Sequence, residues 1–191
     1  MKRAALGLLL TFAVGCGSPE PNPVVVIDTS MGKITAELYK DRAPITVRNF
    51  LLYVDDKHFD GTIFHRVIAD FMIQGGGFEP GALAKNNEKQ TREPIKNEAT
   101  NGIANERGTL AMARTNDPHS ATSQFFINVK NNAALNPNPN NKYGYCVFGK
   151  VTAGMEIVDK IRNVATHSVG GHDDVPKEDV IIKSIRRVES K

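Results

Sequence analysis

Arg66 and Gln74 carry the polar chemistry of the most informative stretch of this chain, Phe64-His65-Arg66-Val67-Ile68-Ala69-Asp70-Phe71-Met72-Ile73-Gln74-Gly75-Gly76. Arginine supplies a permanently charged, rigid fork of N–H donors. Glutamine supplies an amide that both donates and accepts. The run offers no obvious nucleophile and no metal cluster. Gly75-Gly76-Gly77 lacks the Lys-Ser or Lys-Thr of a phosphate loop, and its glycines suit a chain turning away closely beneath a site. This kit is poor for hydrolysis and good for holding an apolar peptide while an amide bond twists.

A second block, Gly108-Thr109-Leu110-Ala111-Met112-Ala113-Arg114 followed by Ser123-Gln124-Phe125-Phe126-Ile127, completes the pattern. The two blocks together resemble the cyclophilins, the peptidyl-prolyl cis-trans isomerases, and the resemblance covers residues 24–188. It implies a mainly β fold, a closed eight-stranded antiparallel cyclophilin-like barrel with two capping α-helices. It also implies isomerisation of X-Pro bonds. Rotation of such a bond removes amide resonance over a barrier of roughly 18–20 kcal/mol. At the twisted transition state the proline nitrogen becomes pyramidal and regains a lone pair. A catalyst therefore needs no covalent step, only a donor for that nitrogen, a pocket for the ring and a hold on the flanking carbonyl.

Carried over residue by residue, the resemblance makes Arg66 the donor and Gln74 the grip on substrate backbone, the two catalytic positions. It makes Phe71, Met72, Phe126 and Leu135 the proline pocket. Ala113 and Arg114 fall on the edge that binds the residues before proline, with Gln124 near the same groove. Tyr145 is a rim residue where many eukaryotic members have histidine, and Ala134 stands where cyclosporin-sensitive members have tryptophan. No cofactor or metal is implied. The expected partners are proline-containing polypeptides, with the chain a monomer. The alternative from another class is a periplasmic peptide-binding chaperone module with little turnover.

Strands and helices must hold these side chains. Residues 24–27, 34–39, 62–67, 71–74, 109–113, 124–129, 145–151 and 180–188 read as strands. Residues 43–54 read as an amphipathic helix with Pro44 in its first turn, and residues 154–162 as a second. Strict alternation in the first signature strand puts Phe64 and Arg66 on one face, His65 and Val67 on the other. In the next strand Met72 and Gln74 share a face, so Phe71 joins them only if the strand bends where it begins.

The 191 residues suffice for one domain with an extension. Lys and Arg number 24 against 21 Asp and Glu, a net +3 that gives no electrostatic case for nucleic acid. Lys2 and Arg3 precede a short apolar run over residues 4–14, too short for the roughly 20 residues of a membrane span and suited to a signal peptide. The run ends Phe12-Ala13-Val14-Gly15-Cys16, which resembles a bacterial lipobox with Ala13 where leucine is preferred. The expected organisation is a signal peptide at 1–15, a lipidated Cys16 with a Pro-rich tether at 16–23, and an isomerase domain at 24–191. The protein is then exported and anchored by lipid to the bacterial envelope, facing the periplasm with the outer membrane favoured. Conventional cleavage, leaving a soluble periplasmic protein, is the alternative. Cys146, in a strand-like run, reads as a small buried hydrophobe.

Three other clusters are set aside. His167, His172, Asp173 and Asp174 lie in a Gly-rich stretch that reads as a solvated loop rather than a metal site. Asp117, His119 and Ser120 hold triad residue types without a nucleophile elbow. His65 reads as a packed strand histidine.

Overall fold

Buried and part-exposed residues alternate along β1 (Val24–Thr29) and β2 (Gly32–Leu38), which sends Val25, Ile27, Ile34, Ala36 and Leu38 into one interior. The computed structural model describes residues 21–139 and 142–188. The expected signal peptide, Cys16 and most of the tether lie outside the described residues. The remaining elements are α1 (Pro44–Asp55), β3 (Thr62–Ile68), β4 (Met72–Gly75), β5 (Thr109–Met112), β6 (Phe125–Asn128), β7 (Val147–Ala153), α2 (Met155–Arg162), β8 (Thr166–Val169), β9 (His172–Pro176) and β10 (Ile181–Arg187). Eight strands close into a barrel in the order β1-β10-β3-β4-β6-β5-β7-β2, each antiparallel to its neighbours.

The barrel is filled by aromatic and branched side chains. Phe50 of α1 is its hub, with ring centroids 5.1 Å from Phe59, 5.4 Å from Phe125 and 5.1 Å from Phe148. The helix forms where Pro44 presets the first turn and Val47, Phe50, Leu51 and Val54 share an apolar face. Its N-terminus has no local side-chain cap. Glu98, far along the chain, supplies one: its carboxylate accepts the backbone N–H groups of Ile45 (3.2 Å) and Thr46 (2.8 Å) and the Thr46 hydroxyl (2.7 Å). A carboxylate there satisfies orphan donors and meets the positive end of the helix dipole.

Residues 166–176 form a two-stranded hairpin rather than the solvated loop expected from their composition. Val169 pairs with His172 across Gly170-Gly171, both at positive φ (58° and 85°), the backbone a two-residue hairpin turn requires. Val175 of β9 is buried with Ile63, Phe78 and Leu83 in a small cluster separate from the main core.

Gly154 begins α2 at φ +90°, and a Cβ there would sit 2.4 Å from the Lys33 carbonyl oxygen. Gly154→Ala is expected to destabilise the protein by roughly 1–3 kcal/mol through backbone strain. The readout is a lower denaturant midpoint at unchanged slope. An unchanged midpoint would contradict the strain argument.

Candidate active site

The site begins with a break in register. Phe64 of β3 pairs with Gly75 and Arg66 with Gln74, so two steps on β3 match one on β4 and His65 is extra. Such a bulge re-aims the side chains beyond it. Phe64 and Val67 both lie in the main core, whereas the Arg66 side chain is 44% exposed on the other face. This corrects the alternation expected from the sequence, which placed Phe64 and Arg66 together and Val67 opposite.

From Arg66 a row of side chains crosses four neighbouring strands. Arg66 pairs with Gln74, Gln74 with Phe126, and Phe126 with Ala111. Met72, Ala111, Phe126 and Val147 form a buried cluster distinct from the barrel interior. Phe71, Ala113, Leu135 and Tyr145 pack around it, half-buried. The barrel thus carries an apolar floor on its outside. Phe71 joins that floor because it precedes β4 in a turn, its N–H donating to the Ile68 carbonyl (3.0 Å). Strand alternation does not reach it, so the bend required by the sequence reading is present.

A buried set of asparagines fixes the turns around the floor. Asn132 Nδ2 donates to the Phe71 carbonyl (2.8 Å) and to Asn128 Oδ1 (2.7 Å). Asn128 Nδ2 donates to Asn105 Oδ1 (3.1 Å) and Thr109 Oγ1 (2.9 Å). Asn105 in turn donates to Asn136 Oδ1 and, at 3.2 Å, to the Tyr145 carbonyl. Asn105, Asn128 and Asn132 are the supporting residues that reading the sequence missed. Asparagine is common in loops, and only its burial distinguishes these from solvated ones.

The polar side chains are held as firmly. Gln74 Nε2 donates to Gln124 Oε1 (2.8 Å), and Gln124 Nε2 to Glu88 Oε1 (2.5 Å), which fixes how the Gln74 amide faces the site. The Arg114 guanidinium lies 4.4 Å above the Tyr145 ring centroid while its Nε donates to the Gly144 carbonyl (2.9 Å). Tyr145 meets Phe126 edge-on at 5.9 Å.

These elements enclose a pocket of about 200 Å³ lined by Arg66, Phe71, Met72, Gln74, Ala113, Arg114, Phe126, Leu135 and Tyr145. Of the side chains singled out in the sequence as contacting substrate, Gln124 alone stands outside it. Gln124 lines the adjoining pocket of about 300 Å³, together with Gln74, Ala113, Arg114 and Glu88. Ala134 is exposed in the short 3-10 turn Ala133–Leu135, beside the pocket residue Leu135. Cys16, the expected lipidation site, lies outside the described residues.

Neighbouring titratable groups are not built for proton transfer. His65 is 5% exposed with its ring 4.9 Å from Phe78, and burial, assisted by the charges of His172 and Arg66, pushes its pKa down to about 4. The Cys146 thiol is buried and pushed up to about 11 by that burial. Ser120 donates to the Asp117 carbonyl (2.7 Å) and His119 Nδ1 accepts the Asn97 N–H (3.1 Å), so the triad residue types serve a turn. Among the described residues no group of three His, Cys, Asp or Glu side chains is placed to hold a metal, and no helix is long and apolar enough to cross a membrane.

Residues 24–187 match the family described as Cyclophilin type peptidyl-prolyl cis-trans isomerase/CLD. Over 164 residues the chain is 57% identical to peptidyl-prolyl cis-trans isomerase B of Escherichia coli, covering 85% of this chain and 98% of that protein. It is equally identical to peptidyl-prolyl cis-trans isomerase cyp18 of Streptomyces antibioticus, covering 85% and 96%. A crystal structure of a cyclophilin type peptidyl-prolyl cis-trans isomerase from Cryptosporidium parvum matches with a TM-score of 0.74 at 27% identity, over 89% of this chain and 99% of that one. A second structure of that protein, in the presence of the dipeptide Ala-Pro, matches with a TM-score of 0.71 at 26% identity, covering 87% and 99%.

The buried histidine makes stability depend on pH. An unfolded His65 titrates near 6.5 and the folded one near 4, so between these values the unfolded chain binds more protons. Stability is expected to fall as pH drops through that window, by about 3 kcal/mol at its lower end. Urea unfolding of wild type and His65→Phe at neutral pH and near pH 4 isolates this contribution, because carboxylate titration is common to both. Equal pH dependence in the two proteins would contradict it.

Proposed function

The chain belongs to the cyclophilin-type peptidyl-prolyl cis-trans isomerases, and from that premise we propose how this site turns an X-Pro bond and where it works. The protein is an isomerase of proline-containing polypeptides. The observation that carries the mechanism is the meeting of a permanently charged donor with an apolar floor in one pocket of about 200 Å³. Proline's ring lies on Met72, Phe126 and Leu135, walled by Phe71 and Tyr145. Arg66, at the side of the floor, donates to the proline nitrogen as it becomes pyramidal. That interaction is weak with either planar isomer, whose nitrogen lone pair is delocalised, and strong with the twisted one. This is the differential that accelerates the reaction.

Gln74 holds the substrate carbonyl on the same side, its amide oriented by Gln124 and Glu88. Ala113 and Arg114 take the residues before proline. The C. parvum relative studied in the presence of Ala-Pro supports an X-Pro unit as the recognised element. Reversible rotation needs no net proton transfer, consistent with a neighbouring histidine whose pKa burial pushes down to about 4, far from an acid-base role at neutral pH.

The N-terminal sequence supports an exported enzyme held to the envelope by lipid on Cys16, with the Pro-rich segment Gly17 to Pro23 as the tether. Its clients are then exported or folding polypeptides on the periplasmic side.

Arg66→Ala is expected to lower turnover of a proline peptide by roughly 10²–10³-fold, the loss typical of one preorganised transition-state donor. NMR exchange or a protease-coupled assay reads it. Wild-type turnover in the folded variant would remove Arg66 from this role. A wild type that binds peptide without turnover would instead indicate a holding module. Ala134 offers no large ring and no indole N–H, so cyclosporin is expected to bind weakly while isomerase activity is retained. Titration of turnover with cyclosporin checks this, and complete inhibition at stoichiometric concentration would contradict it.

A further inference from the structure

The β8–β9 hairpin brings one charged group to the reacting arginine. Asp174 Oδ2 lies 3.8 Å from Arg66 Nε, with side chains 39% and 44% exposed, and this is the ion pair of Arg66 among the described residues. Asp174 does not line the substrate pocket, so it meets the guanidinium from outside. Contact at Nε leaves the two terminal nitrogens of the fork for substrate.

Asp174 is held there by its backbone. On β9, Asp173 and Asp174 together oppose Ser168, a bulge bracketed by the pairs His167 with Val175 and Val169 with His172. Asp174 takes the left-handed conformation (φ 62°), and the Ser168 hydroxyl donates to Asp173 Oδ1 (2.6 Å). On one side of the bulge Val175 is buried against Ile63 and Phe78. On the other the His172 ring meets Phe78 at 5.8 Å, and Phe78 meets His65, the residue before Arg66, at 4.9 Å. Two bulges, one on β3 and one on β9, thus aim opposite charges at each other across a packed seam.

We propose that Asp174 is a positioning residue: its carboxylate holds the Arg66 guanidinium over the pocket in the orientation used at the transition state. The proposal rests on the role given to Arg66 above. The pair is half-exposed, so it adds little to stability. Its effect is to restrict the rotamers of a long, flexible side chain before substrate arrives.

The test compares the full chain as wild type, Asp174→Asn, Asp174→Glu, Arg66→Ala and the Asp174→Asn/Arg66→Ala double variant on an uncharged proline peptide. Asp174→Asn is expected to lower kcat by about three- to tenfold with KM unchanged. Asp174→Glu should restore part of the loss. The gap between wild type and Asp174→Asn should narrow at about 1 M salt, where the pair is screened. In the Arg66→Ala background, Asp174→Asn should cost nothing further, the signature of a residue acting through its partner. Wild-type kcat in Asp174→Asn, or an equal loss with and without Arg66, would overturn the proposal while leaving Arg66 in place. Full activity in Arg66→Ala would overturn both readings.

Discussion

One extra residue in β3 is the constraint on which the site depends. With strict alternation from Phe64, the arginine two positions on would point into a barrel packed with Phe50, Phe125 and Phe148. A buried guanidinium there would lose its hydration without a partner, at a cost of several kcal/mol. The bulge at His65 removes the conflict. Phe64 and Val67 stay in the core, and the cation is delivered to the outer face beside Gln74. The same irregularity that breaks the ladder puts the guanidinium at the head of the row Arg66, Gln74, Phe126 and Ala111. His65, outside the main core on the same side as Arg66, becomes the packing partner of Phe78.

Around that row the protein uses polar groups for alignment. The asparagines at 105, 128 and 132 sit buried with their amides engaged, tying the turn at Phe71, the strand end at Asn128 and the Tyr145 backbone into one hydrogen-bonded unit. An unsatisfied buried amide is costly, so the network tolerates one arrangement. Gln124 and Glu88 do the same for Gln74 with part-exposed groups. The apolar floor is held in place by these amide networks, and the two come from different parts of the chain.

The elements and most of the pocket were legible in the sequence, for identifiable reasons, while closure of the strands into a barrel was legible only through the family resemblance. Pro44 and the spacing of Val47, Phe50, Leu51 and Val54 announce α1, and short apolar runs between turn residues announce the strands. The pocket residues were legible as two dense blocks whose resemblance to a family exceeded what periodicity could say. Features that depend on one residue of register, or on contacts distant in sequence, were not legible. Alternation misplaced Arg66 relative to Phe64 because a bulge leaves no compositional mark. Glu98 capping α1 is a tertiary contact. The hairpin at Gly170-Gly171 did carry a signal, since a glycine pair between Val169 and His172 fits a two-residue turn, but its abundance of His and Asp favoured a loop reading.

The closed ring of strands has a consequence for an isomerase of proline-containing polypeptides. An open sheet would present a row of free N–H and C=O groups, and an extended client could add to it as another strand. Here β1 pairs with both β10 and β2, every barrel strand is flanked on both sides, and β5 continues past its end into Ala113, whose N–H is already given to the Gln124 carbonyl. On this face the barrel therefore presents a ring-sized depression rather than an open sheet edge. A closed ring leaves none of its strands with the free edge from which cross-strand aggregation grows.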